Sequence, residues 1–211
     1  MPSRSFLVPG GAVEIGTRPL IMGIVNASPN SFSDGGELRT LEDRVERARR
    51  LVADGADLID VGGQSGVTNE PEIPAEVEAE RVVPLVEALV AEGIAVSVDT
   101  YRPQVAGPAL DAGASIVNDV SGLLYPEVAA LCARAGAALV VMHTRTPPKV
   151  RRDDPELYDD VTADVVGFLR ERIAVAGEQG LSAEHVIVDP GPDFAKTPAE
   201  TVAVLRGLDR V

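Results

Sequence analysis

The chain has 211 residues, with 19 Lys+Arg against 33 Asp+Glu, for a formal net charge of −14. That balance excludes a protein that grips nucleic acid or an anionic membrane through bulk charge, because such binding needs a cationic footprint that releases counterions. At 45% apolar and 25% charged residues, the composition is globular, and the length suits one domain at a soft prior of roughly 150 residues per domain.

The single cysteine, Cys132, lies in an apolar helical run at 128–133 and cannot form an internal disulfide, so a cytoplasmic location is expected. The N-terminal residues lack the apolar core of a signal peptide, and no stretch approaches the apolar length that spans a bilayer. No membrane or nucleic-acid partner is expected.

In chain order, a Val/Ile-rich strand is predicted at 20–25, then a helix at 41–54 whose Thr40 and Asp43 have capping-pair spacing. A strand at 58–61 and a helix at 76–92 follow, then a strand at 95–98 and a helix at 102–112. The remaining pairs are a strand at 116–117 with a helix at 126–135, one at 138–142 with a helix at 157–179, and one at 186–188 with a helix at 198–208. Gly55, Gly93, Gly113, Gly136 and Gly180 stand where these helices should stop. Strands that alternate with helices through short links build a parallel sheet, and strands apolar almost throughout expect cover on both faces.

The choice is between a closed barrel and an open doubly wound sheet. No strand is followed by a glycine-rich phosphate loop of the G-x-G-x-x-G or G-x-x-x-x-G-K-[ST] type, which weighs against the open sheet. Polar residues end every strand: Asn26, Asp60, Asp99, Asn118 with Asp119, His143 and Asp189. Barrel enzymes collect their chemistry from the C-terminal ends of several strands. The fold class expected is α/β of the (β/α)8 TIM-barrel type, with about six β/α units in a single domain over residues 1–211.

Asp99, Asn118 and Asp189 would converge on the barrel mouth. A carboxylate accepts from two adjacent N–H donors and an Asn amide both donates and accepts, so the set suits an aminopyrimidine-like or other amide-bearing heterocycle. Acid/base roles remain open for the same residues. The polar loop from Asn26 through Gly36 has oxygens suited to a hard cation or a phosphate, and is also ordinary turn composition. Met142 and Phe194 could wall a ring, although a strand Met is more often core. With two His in the chain there is no His-rich metal cluster. Lys196, Arg145 and Lys149 are candidate anion ligands, and isolated Lys or Arg residues usually lie in solvent.

Together the motifs resemble dihydropteroate synthase, of the pterin-binding barrel group. The matching blocks are Ile21-Met22-Gly23-Ile24-Val25-Asn26, Ser31-Phe32-Ser33-Asp34-Gly35-Gly36, Ile59-Asp60-Val61-Gly62-Gly63, Ser97-Val98-Asp99-Thr100, Asn118-Asp119-Val120-Ser121-Gly122, Val141-Met142-His143, and Asp189-Pro190-Gly191 with Phe194 and Lys196-Thr197, in family order. The resemblance implies that Asp99, Asn118 and Asp189 hydrogen-bond a pterin and that Met142 packs on its ring. It further implies that Phe194 lies toward 4-aminobenzoate, that Ser65 contributes to substrate binding, and that Asn26 helps hold Mg2+ and pyrophosphate. The implied reaction joins a dihydropterin methyl diphosphate to 4-aminobenzoate; a pterin-binding paralogue without synthase activity is the alternative.

The chain departs from the family at Asn30, where Asp is usual, and at Gln64-Ser65-Gly66-Val67-Thr68, where the family has Glu-Ser-Thr-Arg-Pro. With six units legible where a closed barrel has eight, the first and sixth strands are expected to be open edges. A C-terminally incomplete barrel, marginal alone or paired as a homodimer, is the corresponding expectation.

Overall fold

The computed structural model describes residues 4–28, 40–64, 71–150 and 157–211. An antiparallel hairpin, β1 (Arg4–Val8) and β2 (Gly11–Ile15), comes first. Six strand–helix units follow: β3 (Met22–Asn26) with α1 (Leu41–Ala53), β4 (Leu58–Gly62) with α2 (Ala75–Ala91), β5 (Val96–Asp99) with α3 (Pro103–Asp111), β6 (Ile116–Asp119) with α4 (Glu127–Ala135), β7 (Ala138–Met142) with α5 (Val161–Glu178), and β8 (Val186–Asp189) with α6 (Pro198–Arg206). The strands of these units form one parallel sheet in strict chain order. Every strand and helix expected from the sequence is present, whereas the hairpin was not expected.

Local chemistry sets the helix limits. Thr40 and Asp43 form a full capping box on α1, and Thr197 with Glu200 forms another on α6, where Pro198 occupies the first turn. The Asp160 side chain accepts from the Ala163 N–H, which starts α5 at residue 161 rather than 157. Gly55, Gly93, Gly113, Gly136 and Gly180 all have positive φ, between 67° and 109°. Side chains rarely adopt that backbone region, so these positions stop the helices.

The apolar residues divide into two layers. Val25, Ile59, Val61, Val98, Val117, Leu139 and Val141 pack outward against Val45, Leu85, Ala106, Val128, Val165 and Val204, one from each of the six helices. The alternate strand residues Leu58, Ile116 and Ala138, with Val140 and Ile187 beside them, face inward and meet Phe6, Val8, Val13 and Ile15 of the hairpin. All helices therefore cover one face, the winding of a (β/α)8 barrel rather than of a doubly wound sheet, and the hairpin plugs the inner face at its N-terminal end.

Among the described residues β3 and β8 each pair on one side only. Met22 and Ile24, paired in register with inward-facing positions of β4, are consequently exposed at 40% and 59%.

Candidate functional site

The ladder register aligns the strand ends. Asn26 lies opposite Gly62, Gly62 opposite Asp99, and Asp99 opposite Asn118, so four strands contribute one transverse row to the inner face. Gly62 leaves the row open at its second place. A Cβ built there would lie 3.4 Å from both Asn26 Oδ1 and Asp99 Oδ2, which places the amide and the carboxylate on either side of that gap.

Asp60 sits one inward position below Gly62 and is buried. Its Oδ2 accepts from Asn118 Nδ2 at 3.1 Å, across the intervening strand β5. Neighbouring strands lie about 4.8 Å apart, so β4 and β6 are separated by roughly 9.6 Å. Side chains this short meet at that separation only when they converge, as they do on a concave face. The bond also orients Asn118, with its nitrogen toward Asp60 and its oxygen away. Asp60 Oδ1 is buried on the same inner face as the Ser97 hydroxyl, its ladder neighbour on β5 and a donor to the carboxylate.

The row is electrostatically acidic. Burial pushes the Asp99 carboxyl well above its ordinary range, and the nearby Asp60, Glu78 and Asp119 push it further. Asp60 is also raised by burial, partly offset by hydrogen bonds from the Ser97 hydroxyl and then the Asn118 amide. Glu78, from α2, is raised by burial but accepts from Thr100 Oγ1 at 2.8 Å and from Arg102 at 3.0 Å. A site of this kind resists holding several negative charges and gains from a positive one.

Asp189 and Met142 pair one inward position above the row. Asp189 Oδ1 accepts from the Gly191 N–H at 2.7 Å. Met142 is buried against the chain at Gly191, where a Cβ would meet its Cγ at 3.0 Å and the His143 carbonyl oxygen at 2.2 Å. Phe194 is exposed on the segment between β8 and α6. Ser65 and Asn30 lie outside the described residues; Gln64, at the edge of them, accepts through Oε1 from the Ile73 N–H at 2.9 Å.

Two strand-end residues turn away. Asp119 alternates with Asn118 and so points toward the helices; its Oδ1 takes the Ser121 N–H at 2.7 Å and the Ser121 hydroxyl at 2.5 Å, and burial raises its carboxyl to about 6. His143, fully buried under α5, bonds Asp164 Oδ1 through Nε2 at 2.9 Å and packs edge-on to Phe168 at 5.0 Å between ring centroids. Burial and Lys196 lower it to about 4, so it does not titrate near neutrality. The anion-ligand expectations for Lys196 and Arg145 are corrected: Lys196 is buried on His143 and two backbone carbonyls, and Arg145 pairs with Asp164.

Asp60 is the residue that sequence reasoning left without a role. Its signal was its alternation with Gly62, since positions 60 and 62 share a strand face.

Residues 22–211 match the family model described as "Pterin binding enzyme". A protein of Haloferax volcanii, named as a probable bifunctional folylpolyglutamate synthase/dihydropteroate synthase, is 44% identical over 189 residues, which are 90% of this chain and 22% of that protein. The solved structure of Xanthomonas albilineans dihydropteroate synthase with 4-aminobenzoic acid superposes with a TM-score of 0.86 at 39% identity, covering 99% of this chain and 74% of that one. Burkholderia cenocepacia dihydropteroate synthase complexed with 7,8-dihydropteroate superposes at 0.85 with 35% identity, covering 98% and 70%. The chain thus spans under a quarter of the two-activity protein and about seven-tenths of the single enzymes. It belongs to the pterin-binding enzyme family, among the dihydropteroate synthases.

Proposed function

We propose that the strand-end row binds a dihydropterin methyl diphosphate and joins it to 4-aminobenzoate, giving dihydropteroate and pyrophosphate. The observation that carries this reading is the Asn26–Gly62–Asp99–Asn118 row with Asp60 beneath it, an acceptor-rich surface with one amide held in a fixed orientation. A pterin edge carries adjacent N–H groups and a ring nitrogen, which carboxylates and one oriented amide can match.

In the reaction the methylene C–O bond breaks, and its electron pair leaves with pyrophosphate. The aromatic amine nitrogen forms the new C–N bond and gives up a proton. Positive charge grows on the pterin as the bond to oxygen lengthens. Asp99, whose charge burial and its acidic neighbours disfavour, gains a partner at that moment, so its stabilisation is larger in the transition state than before it. Asn118, oriented by Asp60, fixes the ring in register, and Asp189 addresses the same ring from the layer above. Phe194, exposed beyond β8, offers a flat face to the aromatic amine.

Magnesium belongs to the same reading. Among the described residues no cluster of three or more His, Cys, Asp or Glu side chains could hold a metal ion. Asn26 offers a single oxygen at the row's end, and Mg2+ commonly takes one or two protein oxygens together with substrate phosphates and water, so this donor set fits. When bound, the cation would neutralise charge on departing pyrophosphate. A cytoplasmic location and a homodimer complete the reading. The buried lone Cys132 supports the first.

The test is pyrophosphate release from the dihydropterin diphosphate with magnesium, with and without 4-aminobenzoate. Release that depends on the amine supports the reading. Tight pterin binding with no release would instead identify a pterin-binding paralogue, the reading that Gln64, folded back on Ile73, favours.

A further inference from the structure

Lys196 is long, cationic and almost wholly buried, and its ammonium meets only acceptors. Nζ lies 2.8 Å from the Gly191 carbonyl oxygen, 3.0 Å from that of Phe194 and 2.9 Å from His143 Nδ1. The imidazole proton is committed elsewhere: His143 Nε2 faces the Asp164 carboxylate, so Nδ1 is the acceptor of the neutral ring. Three acceptors around one nitrogen need three N–H groups. An ammonium has three; a neutral amine has two.

The segment so held is strained and carries Phe194. Asp193 and Ala195 have positive φ without being glycine, and Gly191 sits where no side chain fits. Other bonds hold the same segment: Tyr158 Oη donates to the Ala195 carbonyl at 2.9 Å, the Asp193 N–H donates to Thr201 Oγ1 at 3.0 Å, and the Gly191 N–H donates to Asp189. Lys196 alone among these groups ties the segment to β7, beside Met142, through His143. We propose that Lys196 is a positioning residue for the aromatic-amine subsite: its ammonium fixes the backbone that presents Phe194, and loss of its third N–H loosens that subsite without touching pterin recognition. This rests on the reading of Phe194 given above.

The groups facing Lys196 come from every packed element. They are His143 at the end of β7, Asp164 on α5 with Arg145 beyond it, Asp189 at the end of β8 and Glu200 on α6. Burial outweighs the three carboxylates and lowers the ammonium to about 8, so the third donor is lost within an accessible pH range.

The experiment measures KM for each substrate from pyrophosphate release, at pH 7 and pH 9, for the wild type, Lys196→Met and Lys196→Gln. The expected KM for 4-aminobenzoate rises about tenfold in Lys196→Met at pH 7, as one charge-assisted bond is worth, while the KM for the pterin diphosphate moves less than about threefold. The wild type shows a rise between pH 7 and 9 that Lys196→Gln, with two donors at either pH, does not. An unchanged amine KM, or equal changes in both KM values, would overturn the proposal. Chymotryptic cleavage after Phe194, measured at one pH and relative to other sites, is the readout free of turnover. The clamp predicts several-fold faster cutting in either variant, and equal cutting overturns it. Should the wild type release no pyrophosphate, the functional reading fails and this cleavage comparison decides the clamp separately.

Discussion

Asn118 Nδ2 donates to Asp60 Oδ2 across 3.1 Å, joining β6 to β4 over the strand that carries Asp99. The contact turns an amide, whose two ends are nearly isosteric, into a group of fixed polarity at the centre of the inner face. Asp60 thereby acts on a ligand through Asn118 rather than only by touching it.

Asp60→Ala should therefore weaken binding of the pterin diphosphate by about tenfold or more, the cost of one charge-assisted hydrogen bond. Combined with Asn118→Ala it should add little further loss, because the two residues work as a unit. Calorimetric titration of the two single variants and the double variant measures this. Fully additive losses would mean that Asp60 does not act through the amide.

Asp99→Asn should stabilise the fold while it damages turnover. The folded-state carboxyl titrates above its unfolded value of about 3.9, so the folded chain keeps a proton that the unfolded chain releases. Its contribution to stability is then fully present below about 4 and is lost as pH rises through the raised value. The variant should show a shallower fall and, at pH 7, a Tm a few degrees higher, about what 1 kcal/mol yields at this size. Pyrophosphate release should drop about a hundredfold or more. Denaturation curves from pH 4 to 8 and a rate assay test both halves.

Two glycines separate folding from function. Gly191→Ala puts a Cβ 2.2 Å from the His143 carbonyl oxygen at a φ of 61°, so it should destabilise by about 3 kcal/mol or more, or prevent folding. Gly62→Ala meets Asn26 and Asp99 only at 3.4 Å and without positive φ, so stability should change by no more than about 1 kcal/mol. The added methyl nevertheless occupies the gap in the row, and pterin affinity should fall about tenfold. Thermal unfolding beside calorimetry distinguishes the two outcomes.

Apolar runs marked each parallel strand, but in all except β7 they stopped short of the strand's true end. The ladder continues through Asn26, Asp99, Asn118, Asp119 and Asp189, since it is made by the backbone and a barrel mouth tolerates polar side chains. The hairpin was legible in principle, as Pro9-Gly10-Gly11 separates two alternating segments, yet its apolar residues matter only through the barrel end they plug. Which strand-end groups face inward follows from alternation, and that step separates Asn118 from Asp119 and Met142 from His143. Lys196 was illegible for a different reason. A lone lysine usually belongs in solvent, and only the fold brings His143 and the Gly191 and Phe194 carbonyls around it.

The most direct measurement is calorimetric titration of the dihydropterin methyl diphosphate, with magnesium, into the wild-type chain and into Asn118→Ala. One site per chain is expected, with affinity reduced about tenfold or more in the variant while the unfolding midpoint changes little. Equal affinity in both proteins, or no binding to the wild type, would contradict a pterin site at the Asn26–Gly62–Asp99–Asn118 row.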